Sequence, residues 1–213
     1  MRIKAVDAAR RTGARTGAAA AAVLALAAAG CGSTSSTAEG AATHHPMPSH
    51  SHAMAESARF GPDCGMVPAT GMGSFHGMSM DPVVTAARHN PLLTSFAADV
   101  KMAGLTADLN SMHAFTVFAP ANSAFAKLPA SEMGMMHSPA ELAKILKNHI
   151  VSGRVTPAEL AHGMALQTLA GGSVKGAKMG SVYEVNNAQV ICGNIQTANA
   201  TVYVINKVLV PMH

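Results

Sequence analysis

This sequence has no tryptophan and is poor in other aromatic residues, with six Phe and two Tyr among 213 residues. Charged residues make up only 12% of the chain, and the acidic ones are scattered. The chain also lacks the G-x-S-x-G nucleophile turn, the H-E-x-x-H metalloprotease motif and a phosphate-binding loop. With these patterns absent, nothing in the sequence argues for catalysis, and the protein is not predicted to be an enzyme.

The formal net charge of +4 misrepresents most of the chain. Residues 1–30 hold five basic side chains and one acidic side chain, so the remaining residues carry ten of each sign. Beyond residue 30 there is no basic excess of the kind that favours nucleic acid or an anionic membrane surface. The sequence therefore predicts no nucleic-acid partner.

Residues 1–30 are typical of a secretory signal peptide. A basic segment leads into an apolar, alanine-rich run from Gly17 to Gly30, and about 14 residues are too few to span a bilayer. The small residues before Cys31 resemble a bacterial lipobox, in which the cysteine is lipidated and becomes the new N-terminus, although Ala28 stands where Leu is usual. The alternative is secretion after cleavage at an A-x-A site. Lipidation is the favoured interpretation, because a polar tether follows Cys31.

Residues 31–75 are predicted to form a flexible linker that begins at the lipid-attachment cysteine. They are rich in small and polar residues, and without apolar periodicity they cannot bury enough surface to offset the entropy of ordering. The linker contains a group of imidazole and thioether side chains, namely His44, His45, Met47, His50, His52 and Met54. Because these ligand types suit copper, weak copper binding is one hypothesis, and compositional drift in an unconstrained tether is the other. No other cofactor is predicted.

The folded part is predicted to centre on the stretch from Phe115 to Pro129, which holds three of the aromatic residues. Its first residues alternate as in a strand, with Phe115, Val117 and Ala119 on one face. Pro120 interrupts the strand, and Asn122 is predicted to cap the short helix that follows.

Helix and strand signals divide the rest of residues 80–213 into two halves. Helix starts are predicted at Asp81, Asn90, Ser138 and Thr156, each followed by proline. The last two are predicted to form capping boxes, Ser138 with Glu141 and Thr156 with Glu159. Beyond Met164 the pattern changes to short runs rich in Val, Ile and Tyr, with turn pairs at 171–172 and 186–187. Helices followed by antiparallel strands, with the Phe115 strand joining the later sheet, predict an α+β domain.

Three segments of this domain resemble the signature motifs of the fasciclin family. They are FTVFAPANSAFAKLP from Phe115, LKNHIVSGRVTPAEL from Leu146 and ATVYVINKVLVP from Ala200. Within the family, the chain most resembles the secreted and lipid-anchored mycobacterial fasciclin antigens. The resemblance covers residues 80–213 and implies a single fasciclin domain, a β-sandwich-like wedge flanked by helices.

The second motif contains the pair Asn148 and His149, where the family usually has Tyr-His. In animal relatives this position is associated with integrin binding, so the resemblance marks the pair as a candidate interaction motif. The alternative is a structural role, because a histidine near a helix C-terminus interacts with the last carbonyls or is buried with both ring nitrogens hydrogen-bonded. Since Asn148 replaces Tyr, the integrin role is not carried over.

Two cysteines remain if Cys31 is lipidated. Export favours a disulfide between Cys64 and Cys192 over two free thiols, and no Cys and His spacing indicates a zinc site.

Together these patterns predict an exported protein, held at the membrane by lipid or released. It would mediate adhesion or bind an unidentified protein or surface ligand. The alternative prediction is an envelope copper-binding protein that uses the His and Met tether. Methionines inside the folded part, such as Met102 and Met164, are predicted to fill its core.

Overall fold

A computed structural model of the chain describes residues 58–211, in which a mixed sheet is flanked by short helices. The strands, in chain order, are β1 (Phe115–Pro120), β2 (Ile150–Ser152), β3 (Ala165–Gln167), β4 (Ser173–Met179), β5 (Val182–Val185), β6 (Ala188–Gln196) and β7 (Ala200–Ile205). Their spatial order is β2-β1-β7-β6-β5-β4-β3. β1 joins the later strands as predicted, but it runs parallel to β7, whereas the other neighbouring strands are antiparallel.

The two edges of the sheet approach each other. Val151 of edge strand β2 forms a β-bridge with Thr168, which follows the other edge strand, β3. The Leu169 amide also donates to the Ile150 carbonyl at 2.8 Å. The sheet is therefore a nearly closed, barrel-like wedge. This confirms the predicted α+β class and places helices on the outside of the wedge.

The helices lie mainly before the later strands, as the pattern predicted. They are a 3₁₀ helix (Pro62–Met66), α1 (Phe75–Met80), α2 (Val83–His89), α3 (Thr94–Met102), α4 (Thr106–Ser111), α5 (Asn122–Phe125), α6 (Ala130–Met136), α7 (Pro139–Asn148) and α8 (Pro157–Ala161). Of the four predicted helix starts, Thr156 alone behaves as its local sequence predicts in full, since it forms the capping box with Glu159 at α8. Ser138 lies at the N-cap position of α7 without a side-chain capping bond, and no helix begins at Asn90, because α3 starts at Thr94.

Two helix starts are capped by side chains from distant parts of the chain. Asp81 does not cap α2; the amide of Val83 donates instead to Asn199 Oδ1 at 2.9 Å. Asn122 does not cap its own helix, because its Oδ1 accepts from the amide of Ser95 in α3 at 2.9 Å. The predictions for Asp81 and Asn122 were wrong because a free N–H at a helix start donates to any well-placed acceptor, and for α2 and α3 tertiary packing supplied one from a distant segment.

The core has two parts, one on each face of β1. Phe115, Val117 and Ala119 pack with the helices, and Phe118 packs inside the wedge beside Tyr203, with ring centroids 5.7 Å apart. Every residue of β1 is buried. The predicted alternation of this strand is confirmed, and the strand is the partition between the two apolar clusters.

Residues 58–67, called the strap below, lie against the sheet although the sequence pattern assigns them to the linker. Phe60 and Gly193 exchange backbone hydrogen bonds of 3.4 and 2.7 Å, and the Phe60 ring lies 4.1 Å from that of Tyr183. A Cβ on Gly193 would stand 2.4 Å from the Phe60 ring, so only glycine permits this approach. The folded part therefore begins before the predicted boundary at residue 80, because the strap pairs its backbone with β6 and packs an aromatic ring against Tyr183 of β5.

Candidate functional site

The candidate interaction pair, Asn148 and His149, lies at the C-terminal end of α7 and points inward. Its side chains are buried, with residual exposures of 6% and 1%. His149 Nδ1 lies 2.8 Å from the carbonyl oxygen of Ile145, and the Leu209 amide donates to His149 Nε2 at 2.8 Å. Because an amide can only donate, Nε2 is the acceptor and Nδ1 carries the proton.

Asn148 completes the same arrangement from the other side. Its Nδ2 donates to the Leu209 carbonyl at 2.9 Å, and its Oδ1 accepts from the Thr168 hydroxyl at 3.4 Å. Both backbone groups of Leu209 are thus held by adjacent side chains, and the Leu209 side chain packs inside the wedge. Asn148 and His149 anchor the C-terminal segment, so neither can contact a partner unless that segment moves.

Burial also determines the charge of the His149 imidazole. Removal from water lowers the pKa of His149 to about 4, against a smaller opposing effect of its bond to the Ile145 carbonyl. The imidazole is therefore neutral at neutral pH, as the acceptor role of Nε2 requires. With both ring nitrogens occupied by backbone groups, the imidazole is suited to holding the chain rather than to proton transfer.

The structure joins Cys64 and Cys192, the pair predicted from export, by a disulfide with sulfur atoms 2.04 Å apart. Cys64 lies in the 3₁₀ helix of the strap and Cys192 is fully buried in β6. The bond closes a separation of 128 residues and fastens the strap to the sheet.

The remaining predicted site residues lie outside the described residues. These are the lipid-attachment residue Cys31 and the tether ligands His44, His45, Met47, His50, His52 and Met54. Within residues 58–211, no three or more His, Cys, Asp or Glu side chains are placed to hold a metal ion. That same part of the chain contains no helix with the length and apolar character required to cross a membrane.

Methionine dominates the exposed apolar surface of the described residues. Seven of the eight large exposed hydrophobic side chains are Met, namely Met66, Met72, Met80, Met102, Met133, Met164 and Met179. Met102 and Met164, predicted to fill the core, are 54% and 49% exposed. That prediction was wrong. In α3, Phe96 and Val100 face the core, whereas Met102, two residues beyond Val100, falls on the outer side.

Two of these methionines, Met102 and Met133, line one surface groove together with the half-buried Met136. It is called the methionine groove below. The groove has a volume of about 330 Å³ and is formed by Ser95, Asp99, Met102, Phe125, Leu128, Met133, Met136 and His137. No motif in the sequence predicted this groove. One local signal was available, since Met133, Met136 and His137 have the i, i+3, i+4 spacing that places side chains on one helix face.

A further polar centre was also missed. Asn199 accepts from Val83 at the start of α2, and its Nδ2 donates to the carbonyls of Leu109 and Met112 at 2.8 and 3.0 Å. One buried amide thus connects the ends of α2 and α4 to the beginning of β7. This role depends on contacts between residues 87 to 116 positions apart and has no local sequence signature.

Comparison with known proteins identifies a family and several relatives. A family model described as the fasciclin domain matches residues 91–211. The immunogenic protein MPB70 of Mycobacterium bovis is 43% identical over 160 residues, covering 71% of this chain and 81% of that protein. The cell surface glycolipoprotein MPB83 of Mycobacterium bovis is 39% identical over 150 residues, covering 67% of this chain and 66% of that protein.

A solved structure shares the fold. The FAS1 domain pair from the insect cell adhesion molecule fasciclin I aligns with a TM-score of 0.52 and 18% identity. The alignment covers 63% of this chain and 52% of that one, so this chain spans about half of the domain pair.

Proposed function

Because this chain belongs to the fasciclin domain family, we propose that it is an exported protein of a bacterial envelope whose folded domain mediates adhesion or binds another protein or surface. The relatives are named as an immunogenic protein and a cell surface glycolipoprotein, which supports a location outside the cytoplasm. The proposal includes no catalytic step. Among residues 58–211, the one deeply buried imidazole is that of His149, and it already uses both ring nitrogens inside the fold.

The exposed methionines are the observation that carries this proposal. Seven flexible thioether side chains present apolar surface on a domain whose described residues form only one ion pair, between Lys144 and Glu141. Methionine is common on surfaces that bind proteins because it adapts its shape to a partner. A partner recognised in this way contacts apolar surface, so ionic strength has little influence on its affinity.

Partner binding is expected to survive about 0.5 M salt, because screening weakens contacts between exposed charges and leaves apolar burial intact. The measurement is a crosslinking pull-down from intact envelope with the full mature chain at low and high salt. Deleting residues 32–57 is the control for the tether, and it spares the strap and its disulfide. If partner binding is lost with this deletion, or is abolished by the salt, adhesion by the folded domain is refuted.

We further propose that Cys31 is the mature N-terminus and carries lipid, which would hold the domain at the membrane. The apolar run ending in small residues before Cys31 supports this step. Intact mass of the protein from its native host is expected to show a diacyl or triacyl addition at Cys31, and Cys31→Ser is expected to abolish it. A mature chain that begins at any other residue and carries no lipid contradicts the proposal.

A second candidate function is copper binding by the tether. It is favoured by four His within nine residues, at His44, His45, His50 and His52, and by the nearby thioethers of Met47 and Met54. A peptide of residues 40–56 is expected to bind cuprous and cupric ions, with affinity that decreases as pH falls through about 6.5 and imidazole becomes protonated. Competition titration measures this, and the control peptide has all four His changed to Ala. Equal binding by both peptides, in the millimolar range, would contradict copper binding by the tether.

A further inference from the structure

We propose that the methionine groove binds one cuprous ion through the thioethers of Met102, Met133 and Met136 and the imidazole of His137. This goes beyond the proposed function and requires none of the tether residues. It concerns the folded domain, where the described residues contain no group of three or more His, Cys, Asp or Glu side chains placed to hold a metal ion.

Two helices bring the four ligands together. Met133, Met136 and His137 share one face at the end of α6, and Met102 is the last residue of α3. All four line the same groove of about 330 Å³. Met102 and Met133 remain 54% and 44% exposed, so this side of the groove is open to an ion that arrives from solvent.

The ligand chemistry selects the ion. Thioethers are soft and uncharged, and with imidazole they prefer Cu(I) over magnesium, calcium and other hard cations. Three thioethers and one imidazole also satisfy the low coordination number of Cu(I) without any proton release from sulfur. The groove contains one acidic side chain, Asp99, which forms no hydrogen bond or ion pair with the residues that the structure describes. Its negative charge would favour a bound cation over an empty groove.

A purely structural role for these methionines makes a different prediction. Met136 packs against the helix-side core, a contact that leucine of similar volume can replace. Met→Leu substitutions therefore preserve packing while removing the sulfur ligand, which separates the two roles.

The test uses the full mature chain in which the six tether ligands are replaced, so that failure of the tether hypothesis and failure of this proposal remain distinguishable. Cu(I) is titrated against a chromogenic cuprous chelator with ascorbate as the reductant, which leaves the disulfide intact. One ion per chain is expected. Met102→Leu, Met133→Leu, Met136→Leu and His137→Gln are each expected to weaken binding at least about tenfold. Met66→Leu and Met179→Leu, outside the groove, serve as matched controls and are expected to bind normally.

Methionine methyl NMR supplies a second readout that does not depend on the folding of any variant. With Ag(I) as a soft, redox-inert probe, the methyl signals of Met102, Met133 and Met136 are expected to shift together and saturate at one equivalent. Absence of binding, equal losses in the groove and control variants, or equal shifts of all exposed methionines would overturn the proposal.

Discussion

Cys192→Ala is expected to lower the free energy of unfolding by about 4–5 kcal/mol. The disulfide closes a loop of more than 100 residues, and opening it restores that conformational freedom to the unfolded chain. For a domain of this size, a loss of that magnitude corresponds to a decrease of roughly 10–20 °C in Tm. The measurement is guanidinium unfolding of the mature chain, with peptide mapping under non-reducing conditions to establish the crosslinked pair.

The two cysteines also provide a control for this experiment. Cys64→Ala removes the same crosslink as Cys192→Ala, so the double variant is expected to be little less stable than either single variant. Additive losses would mean that each cysteine stabilises the domain separately, which contradicts a disulfide. Recovery of both thiols by alkylation of the exported protein would contradict it directly.

Acidification is expected to destabilise the domain through His149, by about 3 kcal/mol between pH 6.5 and pH 4. The unfolded imidazole titrates near pH 6.5, whereas burial lowers the folded pKa to about 4. Between these values the unfolded state binds more protons, so falling pH favours unfolding. The stabilising contribution of the neutral imidazole is complete above pH 6.5. Urea unfolding at a series of pH values measures it.

His149→Gln is the matched variant, because its side-chain amide can accept from the Leu209 amide but does not titrate. Its stability at neutral pH is expected to be lower, and its loss of stability on acidification smaller. Asp99 has the opposite effect on stability. Burial raises its pKa to about 6, so below that pH the folded state binds a proton that the unfolded state does not yet bind, and falling pH favours folding. Asp99→Asn is therefore expected to steepen the acid destabilisation. An unchanged pH dependence in His149→Gln would show that His149 is not the group responsible.

Local chemistry made several elements predictable from the sequence. The alternation that begins at Phe115 predicted which side chains of β1 face each part of the core, because successive residues of a strand point to opposite faces. The pair Asn186 and Asn187 predicted a hairpin, and both residues adopt the positive φ that such a turn requires, 45° and 64°. Thr156 and Glu159 predicted a capping box because all of its partners lie within four residues.

The sequence by itself thus determined the fold class, the family motifs and the cysteine pair, all of which depend on local patterns or on residue type. Only the tertiary structure decided that Asn148 and His149 hold Leu209 rather than face a partner. It also decided that Met102 is exposed beside α6. These outcomes depend on which surfaces meet when segments 30 to 60 residues apart pack together. Helical or strand periodicity indicates which face of a segment is buried, but it does not indicate what that face packs against.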